Sequence, residues 1–356
     1  MLFEKNVKPE TKVIAQIFSK TVATYKYYWF VSILDIVVKE QRRKISFWEI
    51  IVGMVAEAWY PIHYFRLNFG KSDSFYNQII EIQKILNIPI NAKKSDIKKS
   101  ILTNLHTPRI KSILNVFKLN VPYRFLSPWI KYTTDAQVTL QSQTFTNNCL
   151  YAINGESIDI NPQWEQFLND NYLILRDYTF WNLTDFIQKR NPNVPDVPSK
   201  LVKPISRESL TKHRNFWNTY IDLKGSIQCI YTGKELYKKE YDLDHFIPWS
   251  YFTNDSIWNI IPAEHIANIL KSDNLPMLEK YLKPFAKTQH EALKYIYTKN
   301  PNNIILEDYL TIHDSISELI QLSENDFKNV FQKTFTPMVQ IAENMGFRYW
   351  QNKLIL

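Results

Sequence analysis

Val13, Ile14, Ile17, Phe18 and Val22 recur at the three- and four-residue spacing of one buried helical face. After the charged break "EQRRKIS", the run "FWEIIVGMVAEAWYPI" reads as a second apolar helix. Pro61 should end it, because proline lacks a backbone donor and clashes with the preceding turn. "FYNQIIEIQKILNI" and "IKSILNVFKLN" repeat the pattern, so residues 9 to about 120 read as helical, with Met54 and Trp59 in the core. From about 121 the texture changes. "VPYRFLSPWI", "QVTLQSQTF" and "YAINGESIDI" read as strands and turns, with Asn154-Gly155 as a hairpin turn. The helix "WNLTDFIQKR" follows, and then the proline-rich connector "NPNVPDVPSKLVKP", the clearest domain boundary in the chain.

Beyond the connector the pattern predicts a helix near 206–222 and a short strand bracketed by Gly225 and Gly233. "YDLDH" and "WNIIP" (258–262) read as two more short strands, and "AEHIANILKS" (263–272) as a helix with Pro262 at its start. The tail from 276 to 356 is helical again. Ser323 with Asp326 forms a capping signature, and Gly346 follows the last helical run.

Composition narrows the function. The 356 residues suffice for two or three packed units, and 45% apolar content argues against disorder. "YYWFVSILDIVV" carries Asp35 and is too short to cross a bilayer, so no membrane association is expected. The start "MLFEKNVKPE" has no apolar signal core, and the two cysteines, Cys149 and Cys229, make no disulfide framework. A cytoplasmic protein is the expectation. Six scattered glycines write neither a Walker loop nor a dinucleotide-binding turn, which excludes those nucleotide folds. The net charge of +8 is uneven: residues 1–125 carry 20 Lys+Arg against 9 Asp+Glu, and clusters such as "KEQRRK" and "KKSDIKK" would favour a polyanion.

Asp244 and His245 sit together in an otherwise apolar stretch, "YDLDHFIPWS". Asn259 follows 14 residues after His245, Asn268 lies 9 further on, and Lys271 is three beyond that on the same helical face. An Asp carboxylate and an Asn carboxamide are hard oxygen donors suited to Mg²⁺ or Mn²⁺. An adjacent imidazole can take the proton of an attacking water. Successive residues of a regular strand face opposite ways, so Asp244 and His245 are expected where the strand distorts into its loop, beside Pro248.

The stretch "YDLDHFIPWSYFTNDSIWNIIPAEHIANILKSDNLP", with "CIYTGKEL" upstream, resembles the HNH endonuclease family, a ββα fold around one divalent metal. In particular it resembles the HNH domain of RNA-guided CRISPR effector nucleases, over about residues 225–276. The resemblance implies Asp244 and Asn268 as metal ligands, His245 as general base, Asn259 as a brace for the histidine's loop, and Lys271 on a phosphate. With Asn268 where many relatives have histidine, the pattern is an HNN variant that favours one Mg²⁺ or Mn²⁺ over Zn²⁺. The family often adds a zinc knuckle of Cys-x-x-Cys pairs; this chain has only Cys229, with Thr232 where a second cysteine would stand, so no structural zinc is expected.

The fold class is therefore read as α+β, with mostly helical N- and C-terminal regions around a small ββα-metal HNH nuclease domain. The regions are a basic helical 1–125, a mixed 126–205 with the connector, a nuclease domain 206–276 and a helical 277–356. The function read from it is metal-dependent hydrolysis of DNA, double-stranded before single-stranded or RNA, within a bacterial restriction or anti-phage system, with a protein partner or a homodimer. The competing function is an inactive nucleic-acid-binding or scaffold protein that keeps the fold. His213 and His265 are read as helix-surface residues, and Trp249 and Trp258 as wedges in the small domain's core.

Overall fold

The computed structural model describes residues 11–71, 73–202, 209–352 and 354. The chain divides into two compact units, Met1–Pro192 with Val197–Lys203, and Asn193–Asp196 with Pro204–Leu356. Helices dominate both and the sheets are small, an α+β architecture. No described helix is long and apolar enough to cross a membrane.

The first unit is built on two helices, Tyr25–Lys39 and Phe47–His63, that are apolar nearly all round and therefore buried nearly all round. They pack closely at Gly53, where an added Cβ would lie 2.8 Å from the Ser32 hydroxyl oxygen. The second helix starts at a capping box. Ser46 Oγ accepts from the Glu49 N–H, and the Glu49 carboxylate accepts from the Ser46 N–H. An antiparallel sheet in the order β1 (Lys44–Ser46), β3 (Ser157–Ile160), β2 (Tyr151–Asn154) lies in the same unit. Its hairpin turns at Gly155, whose φ of 60° suits glycine.

In this unit "VPYR" is the short helix Val121–Arg124 and not a strand, and three further expectations fail for identifiable reasons. The first helix stops at Ile14, and although Ile14, Ile17 and Phe18 are buried, Val22 is 81% exposed. Pro61 does not end its helix, which runs on to His63 with Pro61 and Ile62 buried; tertiary packing outweighs the lost hydrogen bond. "QVTLQSQ" belongs to a helix, Asp135–Gln143, with Thr134 accepting from the Gln137 N–H at its start. The buried positions there are Val138 and Ser142, four apart, whereas Leu140 faces out, so an apparent strand alternation was a helical face.

The second unit opens with the helix Thr211–Lys224 and an antiparallel pair, β4 (Ile227–Gln228) with β5 (Glu235–Leu236). A second antiparallel pair follows, β6 (Asp242–His245) with β7 (Ile260–Ala263), and then the helix His265–Lys271. The helices Leu278–Lys299 and Glu324–Asn344 share one apolar core with this ββα segment. Phe246, just after β6, stacks on Phe285 at 4.1 Å between ring centroids, and both meet Phe335. Leu275 and Tyr349 form a bridge that ties the end of the segment to the end of the chain.

Candidate active site

β6 pairs regularly through its last residue, with Asp244 opposite Ile261 and His245 opposite Ile260. The expected strand distortion is absent, since the ladder bonds are made right up to His245. Successive side chains of a paired strand leave on opposite faces, and Asp244 and His245 accordingly have different partners.

Asp244 is 4% exposed, so its charge needs a partner. The Lys271 ammonium, at 0% exposure, donates to Asp244 Oδ1 at 3.0 Å and to the His245 carbonyl at 2.6 Å. The Tyr231 hydroxyl donates to Asp244 Oδ2 at 2.6 Å. Burial, with the charge of Asp244 and this hydrogen bond to it, raises the Tyr231 pKa well above its ordinary value. Lys271 reaches the carboxylate from the last residue of its helix, which Ser272 breaks with a φ of 44°.

The His245 side chain is 11% exposed, and its Nε2 lies 2.7 Å from Asp255 Oδ1. A carboxylate only accepts, so Nε2 carries the proton and Nδ1 presents its lone pair. Nδ1 has no hydrogen-bond partner among the described residues and is not sealed from solvent. The loop that brings Asp255 back is fixed from several sides. Fully buried Asn259 accepts from the Ile247 N–H at 2.8 Å and donates to the Ile247 carbonyl at 3.0 Å. The Ile257 N–H donates to Asp308 at 2.7 Å, and the half-buried His213 donates from Nε2 to the Asp255 carbonyl. Burial lowers the His213 pKa. His213 thus supports the loop that carries Asp255, where a solvated helix face was expected; charged neighbours Lys212 and Arg214 concealed this in the sequence.

Asn268 lies on the same helix as Lys271 but is hydrogen-bonded elsewhere. Its amide donates to Asp242 Oδ2 at 3.1 Å, and the exposed His265 donates to the same oxygen at 2.8 Å. Asp242 and Asp244 are two apart on β6 and so share a face. The structure therefore joins Asp244 with Lys271, Asn268 with Asp242, and Asn259 with the loop backbone. No hydrogen bond links Asp244 with Asn268, or the imidazole with either. Trp258 is buried in the core as expected, and the Cys229 thiol is buried and accepts from the Glu264 N–H at 3.3 Å. Sequence reasoning missed Asp242, Tyr231 and Asp255. The two-residue strand period could have found Asp242; only the folded loop reveals Asp255.

Among the described residues no group of three or more His, Cys, Asp and Glu side chains is arranged to hold a metal. The donor chemistry nevertheless fits a hard cation, because Asp242, Asp244 and Asn268 offer oxygens from adjoining elements. Asp244 already accommodates a positive charge, that of Lys271.

With this geometry in hand, comparison with known proteins adds one finding. A family model described as HNH endonuclease matches residues 229–277. The match spans β5, β6, β7, the helix His265–Lys271 and every residue singled out above except His213 and Asp308. Searches of curated proteins and of solved structures found no match.

Proposed function

We propose that the second unit is a metal-dependent endonuclease that hydrolyses phosphodiester bonds in DNA, with His245 as general base. The observation that carries this reading is the His245–Asp255 pair at 2.7 Å, inside the segment that matches the HNH endonuclease family model. Asp255 fixes the proton on Nε2, leaving the Nδ1 lone pair to take a proton from water as it attacks phosphorus. The imidazolium so formed is stabilised by the same carboxylate. Asp244 and Asn268, joined by Asp242, are the proposed ligands for one Mg²⁺ or Mn²⁺, which would polarise a phosphate oxygen and relieve charge on the leaving oxygen. Asn259 braces the histidine's loop; Lys271, wholly buried on Asp244 and the His245 carbonyl, is proposed to reach a phosphate only once a metal takes its place on Asp244. An HNH-type segment joined to a separate helical unit suits a role in restriction or anti-phage defence, and the basic N-terminal third suits DNA, with a protein partner or second copy.

The test is nicking of supercoiled plasmid in Mg²⁺ and in EDTA. Wild type should cut only with the metal, and His245→Ala should be inactive. Asp255→Asn should lose about a hundredfold or more of the rate, as expected when the base is left in the wrong tautomer. Cutting by His245→Ala at the wild-type rate refutes the assignment. The buried Lys271–Asp244 contact favours a second reading, an inactive fold in which lysine has replaced the metal for good. Calorimetric Mn²⁺ binding that is lost in Asp244→Asn rejects that reading without reference to cleavage.

A further inference from the structure

The first unit contains an open cavity of about 570 Å³, lined by Lys20, Lys26 and Arg124 and by no acidic residue. None of these three cations forms an ion pair among the described residues. Lys26 makes only long contacts, 3.4 Å to the Ile17 carbonyl and 3.4 Å to Ser127 Oγ. Arg124 lies over the Tyr132 ring at 4.3 Å and reaches Asn120 at 3.3 Å. Elsewhere in the same unit half-buried cations are matched: Lys94 meets Glu57 at 2.5 Å and Lys118 meets Glu156 at 2.5 Å. Lys26 is half-buried, and burial together with the charge of Arg124 depresses its pKa.

Holding like charges around a half-enclosed space is unfavourable unless an anion enters it. The backbone adds donors. Lys26 lies in the first turn of the Tyr25–Lys39 helix, which has no side-chain cap, and the Tyr25 and Lys26 N–H groups have no acceptor among the described residues. Asp73 stands at that helix start, but its oxygens accept from the Thr24 N–H and hydroxyl and from the Phe75 N–H. The remaining wall is mixed, with Val22, Ala23, Val121 and the Tyr25 and Tyr132 rings beside the polar Thr21, Asn120 and Ser127. Val22 is exposed there, and the Tyr25 ring lines the cavity while its hydroxyl pairs with Ser74 at 2.7 Å. A cluster of cations beside a ring and an aliphatic wall suits a phosphate attached to a planar base, and the volume is in the ordinary range for a small-molecule site, about 300–1,000 Å³.

We propose that this cavity binds a nucleoside phosphate, with Lys26 and Arg124 on the phosphate and Tyr25 and Val22 against the base. The phosphate can belong to a free nucleotide or to the 5′ end of a strand. The cavity lining has no carboxylate to hold a metal, and what we propose for it is binding. It is independent of hydrolysis at His245.

The test uses the full-length His245→Ala chain, which removes turnover, with calorimetric titration of ATP, inorganic phosphate, and 5′-phosphorylated and 5′-hydroxyl oligonucleotides. Lys26→Gln and Arg124→Gln should each weaken binding about tenfold or more, the expected cost of a lost charge-assisted contact. That loss for ATP assigns the free nucleotide; the same loss for the 5′-phosphorylated strand alone assigns a strand end. Without ligand, Lys26→Gln should melt no lower than its parent, because it removes a repulsion. Unchanged affinity for every probe in both variants overturns the proposal. So does binding of inorganic phosphate as tight as that of ATP, which leaves the aromatic wall without a role. A drop in the melting temperature of ligand-free Lys26→Gln, with no probe bound by its parent, makes the cations structural and overturns it as well.

Discussion

Lys271→Met tests the electrostatics of the site most directly. Lys271 and Asp244 are 0% and 5% exposed at the side chain and 3.0 Å apart. At an effective dielectric of about 20, two unit charges at that distance attract by about 5.5 kcal/mol, which desolvation of both groups largely offsets. Removing one partner strands the other, so Lys271→Met should lose about 3–5 kcal/mol, as the Asp244 carboxylate keeps only the Tyr231 hydroxyl. Asp244→Asn should lose a similar amount by stranding the ammonium, although the His245 carbonyl still accepts from it. The double variant buries no unpaired charge and should fall short of the summed losses by about 3 kcal/mol. Urea unfolding of the full chain followed by tryptophan fluorescence reads all four states, since Trp258 and Trp350 lie in this core. Adding Mg²⁺ separates the two readings of the site. If Asp244 is a ligand, millimolar Mg²⁺ should restore stability to Lys271→Met and leave the double variant unchanged. Additivity within about 0.5 kcal/mol would refute the pairing. A Lys271→Met chain indifferent to Mg²⁺ would refute Asp244 as a cation site.

Asn259→Ala leaves both polar groups of Ile247 buried without partners and should cost about 2–4 kcal/mol, read as a lower urea midpoint of the second unit. Burial holds the His63 pKa down at about 4, and its Nε2 has no partner. The fold therefore requires neutral His63: its contribution is complete above the unfolded value of about 6.5 and is lost as pH falls from there towards 4, about 3 kcal/mol in all. His63→Phe, which can keep the contact with Trp59 at 4.4 Å between ring centroids, should flatten the melting temperature of the first unit across that window. Cys149 is fully buried and its thiol is pushed up to about 12, so it should resist iodoacetamide at mildly alkaline pH until the first unit unfolds.

What the sequence made legible divides along a physical line. Signals that act within a few residues survived folding: the hairpin at Gly155, whose turn is Gly155-Glu156 with Asn154 still paired in the strand, the Ser323 cap that accepts from the Asp326 N–H, and the strand–loop–strand–helix order around Asp244 and His245. Periodicity failed where burial came from elsewhere in the chain. Pro61 stays helical because its neighbours are buried, and Val22 points outward because the chain turns before the expected face continues. At the site, residue types could nominate Asp244, His245, Asn259, Asn268 and Lys271. They could not tell that the lysine would be wholly buried against the aspartate, because a lysine on a short helix normally keeps its charge in water.

Asp255 was illegible for a deeper reason. It lies ten residues from His245 in a loop with no periodicity, and it reaches the imidazole only because Asn259, His213 and Asp308 fold that loop back. Asp308 itself belongs to the segment after Lys299, outside the ββα unit, and Gln289 of the Leu278–Lys299 helix donates to the Ile257 and Ile260 carbonyls at 3.1 and 2.9 Å. The segment 229–277 is too small to bury a core by itself, and its missing walls are Phe285, Phe331 and Phe335 from the C-terminal helices. The His245 imidazole is thus oriented by residues that the local motif does not contain. Truncation after residue 277 should consequently abolish the His245–Asp255 geometry together with the fold, even though every motif residue would remain in the chain.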